Sequence, residues 1–206
     1  MIDSTEKVHF SNSDFLFNTL QIFRKPKMSN ISIIGDAFVG KTVISNSFAN
    51  PENTFLDEYR PTLGTTMLKV KYQGRELCLW DTGGMERYKS LAPVYYRNSN
   101  AAIIVYDITN GKSFENLEEW YSRYNDIMKI NNPIIIVGNK ADLISEAVVS
   151  EEEGRKWAKN HNCDFVQVSA KTRENLEDIL SILIAKIPLS AEKPNQIGEK
   201  TESKCC

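Results

Sequence analysis

Residues Gly35, Asp36, Ala37, Phe38, Val39, Gly40, Lys41 and Thr42 constrain the fold more than any other stretch of this chain. They fit the pattern G-x-x-x-x-G-K-[ST]. They also lie between a short apolar run, Ile31, Ile33 and Ile34, and a helix-forming stretch from Lys41 to Phe48. A glycine-bounded loop that leaves a buried strand and enters a helix turns its backbone N–H groups, and the positive end of the helix, toward an anion. In that setting a lysine reaches the terminal phosphates of a nucleotide and the following hydroxyl ligates Mg²⁺, roles that fall here to Lys41 and Thr42.

The rest of the chain supplies the framework such a loop needs. Met67–Tyr72 and Arg75–Trp80 read as two strands joined by a tight turn at Gln73-Gly74. Ala101–Tyr106 and Pro133–Val137 are short continuous apolar runs, as strands covered on both faces are. Asp164–Val168 reads as a further strand. Between them the pattern predicts a helix from Ser113 to about Met128 with Ser113 as its N-cap, one starting near Ser150, and one from about Asn175 to Ile187. Strands alternating with helices specify an α/β fold, an open sheet with its ligands at the carboxyl ends of the strands.

At three of those strand ends the residues are chemically specific. Asp81 follows Trp80 and is placed as a Mg²⁺ ligand facing the loop. Asn139, Lys140 and Asp142 follow the apolar run that ends near Gly138. A carboxylate at Asp142 accepts from the N1–H and exocyclic amine of guanine, a donor pair adenine lacks, so the wrong base leaves it unpaired at a cost of several kcal/mol. Ser169, Ala170 and Lys171 follow the next strand, placed to offer a backbone N–H to the guanine oxygen.

Composition excludes several other classes. The 206 residues carry a net charge of -2, which gives no basic field for nucleic acid. No apolar run reaches the ~20 residues of a membrane span. The four cysteines are Cys78, Cys163 and the adjacent Cys205-Cys206, which make no disulfide framework and point to a reducing cytosolic compartment.

From Asn30 to about Ile187 the sequence resembles the Ras superfamily of small GTPases. The resemblance implies a P-loop GTPase fold, a mostly parallel six-stranded sheet with one antiparallel edge strand and helices on both faces. It implies guanine nucleotide and Mg²⁺ as ligands. It adds Phe55 as the aromatic packed on guanine, and Thr62, in the first switch, as a residue closing on Mg²⁺ and the γ-phosphate. The catalytic positions are then Lys41, Thr62, Gly84 and Met85; Gly84 also contacts nucleotide, and Met85 stands where the family has a water-orienting glutamine. Metal ligands would be Thr42, Thr62 and Asp81.

The chain closes on Cys205-Cys206, and the stretches Arg87–Arg97 and Ala101–Thr109 resemble Rab proteins, most of all the early-endosomal group. That resemblance implies double geranylgeranylation of Cys205 and Cys206. It implies exchange factors, TBC-type activating proteins that bring an arginine and a glutamine, a GDP dissociation inhibitor, an escort protein and effectors as partners of a monomer. An effector patch would be Met67, Trp80 and Tyr95. The protein would work on the cytoplasmic face of endomembranes, with an inhibitor-bound cytosolic pool. Ala37 and Met85 depart from the family pattern and predict slow hydrolysis. The chain divides into an N-terminal extension (1–28), a GTPase domain (29–188) and a polar tail (189–206). The extension is expected to be disordered; a translation start at Met28, or a helix that binds a partner or membrane, are the other readings.

Overall fold

From Ser29 onward, short segments apolar on both sides alternate with one-sided helices, and that alternation builds a two-faced sheet. The structure is a computed structural model and describes residues 28–52, 65–82, 96–128 and 132–188. Its strands are β1 (Ser29–Gly35), β2 (Thr65–Tyr72), β3 (Arg75–Thr82), β4 (Ala101–Asp107), β5 (Ile134–Asn139) and β6 (Asp164–Gln167). Its helices are α1 (Lys41–Ala49), α2 (Gly111–Glu115), α3 (Leu117–Met128), α4 (Glu151–Asn160) and α5 (Leu176–Lys186), with a short 3-10 helix at Ala141–Glu146. The strand order is β2-β3-β1-β4-β5-β6. Only β2 and β3 pair antiparallel; every other neighbouring pair is parallel.

Period-two alternation along the central strands divides the core. Ile31, Ile33, Ile103, Val105, Ile135 and Val137 face α1 and α5. Ile34, Ala102, Ile104, Tyr106, Ile134 and Ile136 face α3 and α4. Helices on both faces explain why β4 and β5 are buried at every position. At the hairpin, Gln73 and Gly74 both have positive φ, 46° and 75°, the backbone a two-residue turn between right-twisted strands requires.

One expected start is corrected. The cap is Asn110, whose Oδ1 accepts from the N–H groups of Lys112 and Ser113, and α2 begins at Gly111. Ser113 lies inside the helix, buried, with its hydroxyl donating to the Asn110 carbonyl and accepting from the Asp107 N–H. An asparagine at the mouth of the turn outcompetes the serine because its side chain reaches two orphan donors. At Ser150 the expectation holds: its hydroxyl accepts from the Glu153 N–H while the Glu153 carboxylate accepts from the Ser150 N–H, a reciprocal cap.

α4 approaches the sheet closely because Gly154 has no side chain; a Cβ there would stand 2.5 Å from both the Phe165 ring and the Tyr106 hydroxyl. Tyr106 is fully buried, its hydroxyl makes no hydrogen bond, and burial raises its pKa above the usual phenol value. A desolvated hydroxyl without a partner costs folding energy. Tyr106→Phe should therefore raise the unfolding free energy by about 1 kcal/mol, measured by urea denaturation; a variant less stable than wild type would contradict the burial argument.

Candidate functional site

The five parallel strands end at one rim of the sheet, and each end contributes a polar group. After β1 comes the loop 36–40. Lys41, the first residue of α1, is 5% exposed, and its ammonium donates to the Asp36 carbonyl at 2.5 Å. Burial pushes this ammonium from 10.5 down to about 8, and the carboxylates of Asp81 and Asp36 work against that shift. Lys41 is thus held beneath the loop in a dry, partly compensated position.

Thr42 Oγ1 donates to Asp81 Oδ2 at 2.7 Å, which joins α1 to the end of β3. Asp81 is 1% exposed. A hydroxyl and a carboxylate are hard oxygen donors. Mg²⁺ in nucleotide sites takes one or two protein ligands and fills the rest of its octahedron with phosphate oxygens and water. The pair therefore fits Mg²⁺. Among the described residues no group of three or more His, Cys, Asp or Glu could hold a metal by itself.

Asn139, at the end of β5, ties three loops together. Its Nδ2 donates to the Val39 carbonyl at 2.8 Å and its Oδ1 accepts from the Ala170 N–H at 3.0 Å. Gly40 makes this possible: with φ of 99° it adopts a backbone that side chains rarely take, and a Cβ would stand 2.2 Å from Asn139 Nδ2. Lys140 has positive φ (71°), and its ammonium pairs with Asp107 Oδ2 at 2.5 Å. Asp107, at the end of β4, also accepts from the Thr109 N–H and hydroxyl. The Ser169 hydroxyl donates to Asp142 Oδ1 and accepts from the Thr172 N–H, which orients the Asp142 carboxylate. Of the backbone donors in the last loop, Ser169 N–H bonds Glu174 O and Ala170 N–H bonds Asn139.

The rim thus brings together Gly35, Asp36, Ala37, Phe38, Val39, Gly40, Lys41, Thr42, Asp81, Asn139, Lys140, Asp142, Ser169, Ala170 and Lys171, all read from the sequence. Met67 and Trp80 sit opposite each other across the β2–β3 pair, Met67 46% exposed and Trp80 partly buried with its indole N–H on Asn30 Oδ1. Phe55, Thr62, Gly84, Met85, Tyr95, Cys205 and Cys206 lie outside the described residues, as do residues 1–27. Sequence reasoning missed Asp107, Asn116 and Trp120. Asp107 carried the same signal as Asp81, an aspartate closing an apolar strand. Asn116 and Trp120 carried none, because their partner Asp36 is 80 and 84 positions away.

Sheet order, the one antiparallel edge pair and the glycine loop after β1 define the P-loop GTPase fold. Residues 30–189 match the Ras family. The Ras-related protein Rab-7b of Paramecium octaurelia is 36% identical over 185 residues, covering 84% of this chain and 87% of that protein. Ras-related protein RABC1 of Arabidopsis thaliana is 37% identical over 199 residues, with 85% and 92% covered. Human Ras-related protein Rab-22A is 36% identical over 162 residues, with 77% and 82% covered. The chain belongs to the Ras family of small GTPases, in its Rab branch. Near-equal identity to these three relatives places it in that branch without selecting a subgroup.

Lys41 generates a pH test on nucleotide-free protein. Its folded pKa is lowered from 10.5 to about 8, so between those values the unfolded chain binds the extra proton and stability rises with pH. Below pH 8 the penalty is constant, on the order of 3 kcal/mol. From pH 7.5 to 9.5 the urea-unfolding free energy of wild type, minus that of Lys41→Met, should rise by about 2 kcal/mol. A flat difference would mean that Lys41 is not desolvated.

Proposed function

We propose that this Rab-type GTPase, a regulator of membrane traffic, is a guanine-nucleotide switch whose binding site is the rim just described. The orientation of Asp142 by the Ser169 hydroxyl carries this reading, because it presents a carboxylate where guanine offers two donors. Gly35 to Gly40 wrap the phosphates, Lys41 meets the terminal phosphates, and Phe55 packs on the base. Thr42, Asp81 and Thr62 would hold Mg²⁺, which would supply positive charge to offset that of the phosphates. Asn139 braces the base loop against the phosphate loop, and Lys140 ties it to Asp107 at the end of β4.

Residues 29–188 form the switch domain, 1–28 an extension and 189–206 a polar tether. Cys205 and Cys206 carry two prenyl groups, and two chains anchor stably where one binds only marginally. Among the described residues no helix is long and apolar enough to cross a membrane. The tether holds the domain on the cytoplasmic face of endomembranes, with an escort protein and a GDP dissociation inhibitor handling the lipids in the cytosol. Met67, Trp80 and Tyr95 form the effector patch.

Nucleotide competition tests the base site. Asp142→Asn should weaken GDP and GTP binding by at least tenfold and improve xanthosine nucleotides, since a carboxamide can donate to the extra carbonyl. A variant with wild-type GTP affinity would remove guanine from this loop.

A second reading, favoured by Met85, is a GTP-bound signal with little or no intrinsic hydrolysis. A thioether cannot donate and accepts only weakly, so it cannot orient the attacking water. Unassisted turnover in small GTPases that keep the glutamine is already of order 10⁻⁴ s⁻¹. Losing one hydrogen bond of about 1 kcal/mol takes away roughly another factor of five. Met85→Gln should therefore speed intrinsic single-turnover hydrolysis about fivefold and change hydrolysis with a TBC-type activating protein much less. An unchanged intrinsic rate would rule out water positioning as the limit.

A further inference from the structure

Asp36 is anchored in a way that its place in the phosphate loop does not require. Its carboxylate accepts from Asn116 Nδ2 at 2.6 Å and from Trp120 Nε1 at 2.7 Å. Both donors come from the start of α3. Asn116 is the residue between α2 and α3, and Trp120 is one turn further along the same face, with its backbone N–H on the Asn116 carbonyl. Hydrogen bonds to a carboxylate are short and about twice as strong as neutral ones, and a negative charge at a helix N-terminus is further favoured by the helix dipole.

The other end of Asp36 faces the opposite way. Its carbonyl takes the Lys41 ammonium. A single residue therefore has its side chain held by α3 and its backbone holding the lysine.

We propose that Asp36 is a positioning residue for Lys41, and that the Asn116–Trp120 clamp on α3 sets how tightly the loop retains the β-phosphate of a bound nucleotide. This rests on the reading of the rim as a guanine-nucleotide site. The clamp is built for that role. Trp120 is buried, so its N–H cannot trade Asp36 for water. Asn116 can donate only while its amide faces the loop. Just outside Trp120, Arg123 stacks over the indole with its centre 5.9 Å from the ring and pairs with Glu119 at 2.7 Å. The exposed side of α3 is thus one residue layer from the phosphate loop. A shift of α3 would pull on the Asp36 side chain and, through that residue's backbone, on the carbonyl that holds Lys41.

The test compares GDP and GMP, which share the base and the α-phosphate and differ in the β-phosphate. Asn116→Asp sets a carboxylate against Asp36. Trp120→Phe removes one donor and keeps the ring. Each should raise the GDP dissociation rate about tenfold and lower the ratio of GDP to GMP affinity by a similar factor, at unchanged GMP affinity. Asp36→Asn combined with Asn116→Asp reverses donor and acceptor and should return both values to within about threefold of wild type. Unfolding of the nucleotide-free proteins is followed in parallel. A lowered Tm with an unchanged GDP-to-GMP ratio would overturn the inference, since a merely structural clamp moves the first and not the second. Wild-type protein that bound no GDP would overturn the reading of the site and this inference with it, whereas normal wild-type binding with unaltered variants would overturn the inference alone.

Discussion

The rim of this protein depends on one carboxamide. Asn139 reaches back from the end of β5 to the Val39 carbonyl and forward to the Ala170 N–H, and its own carbonyl accepts from the Ile108 N–H. Three loops that are far apart in sequence are thereby held at one point, 2% exposed. A carboxamide carries its donor and its acceptor on two separate atoms, so one side chain can reach two different loops. An aspartate could not donate to the Val39 carbonyl, and a leucine would leave two buried backbone groups unsatisfied, at about 1–3 kcal/mol each. Gly40 follows from the same contact, because any side chain there would occupy the position of the Asn139 nitrogen.

Around this knot the charges are arranged so that none is buried alone. Lys41 lies between the Asp36 carbonyl and the nearby Asp81 carboxylate; Lys140 pairs with Asp107; Asp36 is met by two donors from α3. A buried charge whose partner is removed is strongly destabilising, so each pair makes its members interdependent. Lys41 shows the limit of this compensation: even with two carboxylates nearby, desolvation outweighs them and the pKa falls. A phosphate would add the negative charge that this arrangement leaves room for.

The fold was legible where a local pattern decided the structure. Continuous apolar runs at 101–106 and 133–137 became strands buried on both faces, and Gln73-Gly74 became the hairpin turn. The residues of the rim that the structure describes were legible because they stand at or just beyond the ends of strands, where an open α/β sheet places its ligands. What could not be read was the side-chain bonding between those loops. Asn139 appeared as a base-site residue and is also a structural tie. Asp36 appeared only as a member of the phosphate-binding loop and is also gripped from α3. The start of α2 was misread because Asn110 and Ser113 are both good caps, and only the packing of Ser113 against Asp107 separates them.

Phe38 shows how the loop overrides local preference. It has φ of 67°, a left-handed backbone that a bulky residue rarely adopts, and it is 64% exposed. Nothing in its own chemistry favours that conformation, which costs on the order of 1–3 kcal/mol. Its neighbours dictate it. Gly35 cannot carry a side chain against the Val105 carbonyl, Val39 is buried with its carbonyl on Asn139, and Gly40 is shaped by the same residue. With both flanks held, the turn between them has one course, and Phe38 takes the angle that remains. The strain at Phe38 therefore comes from constraints on both sides, the Val105 carbonyl at Gly35 and Asn139 at Gly40, and it places a large aromatic ring on the surface at the edge of the site.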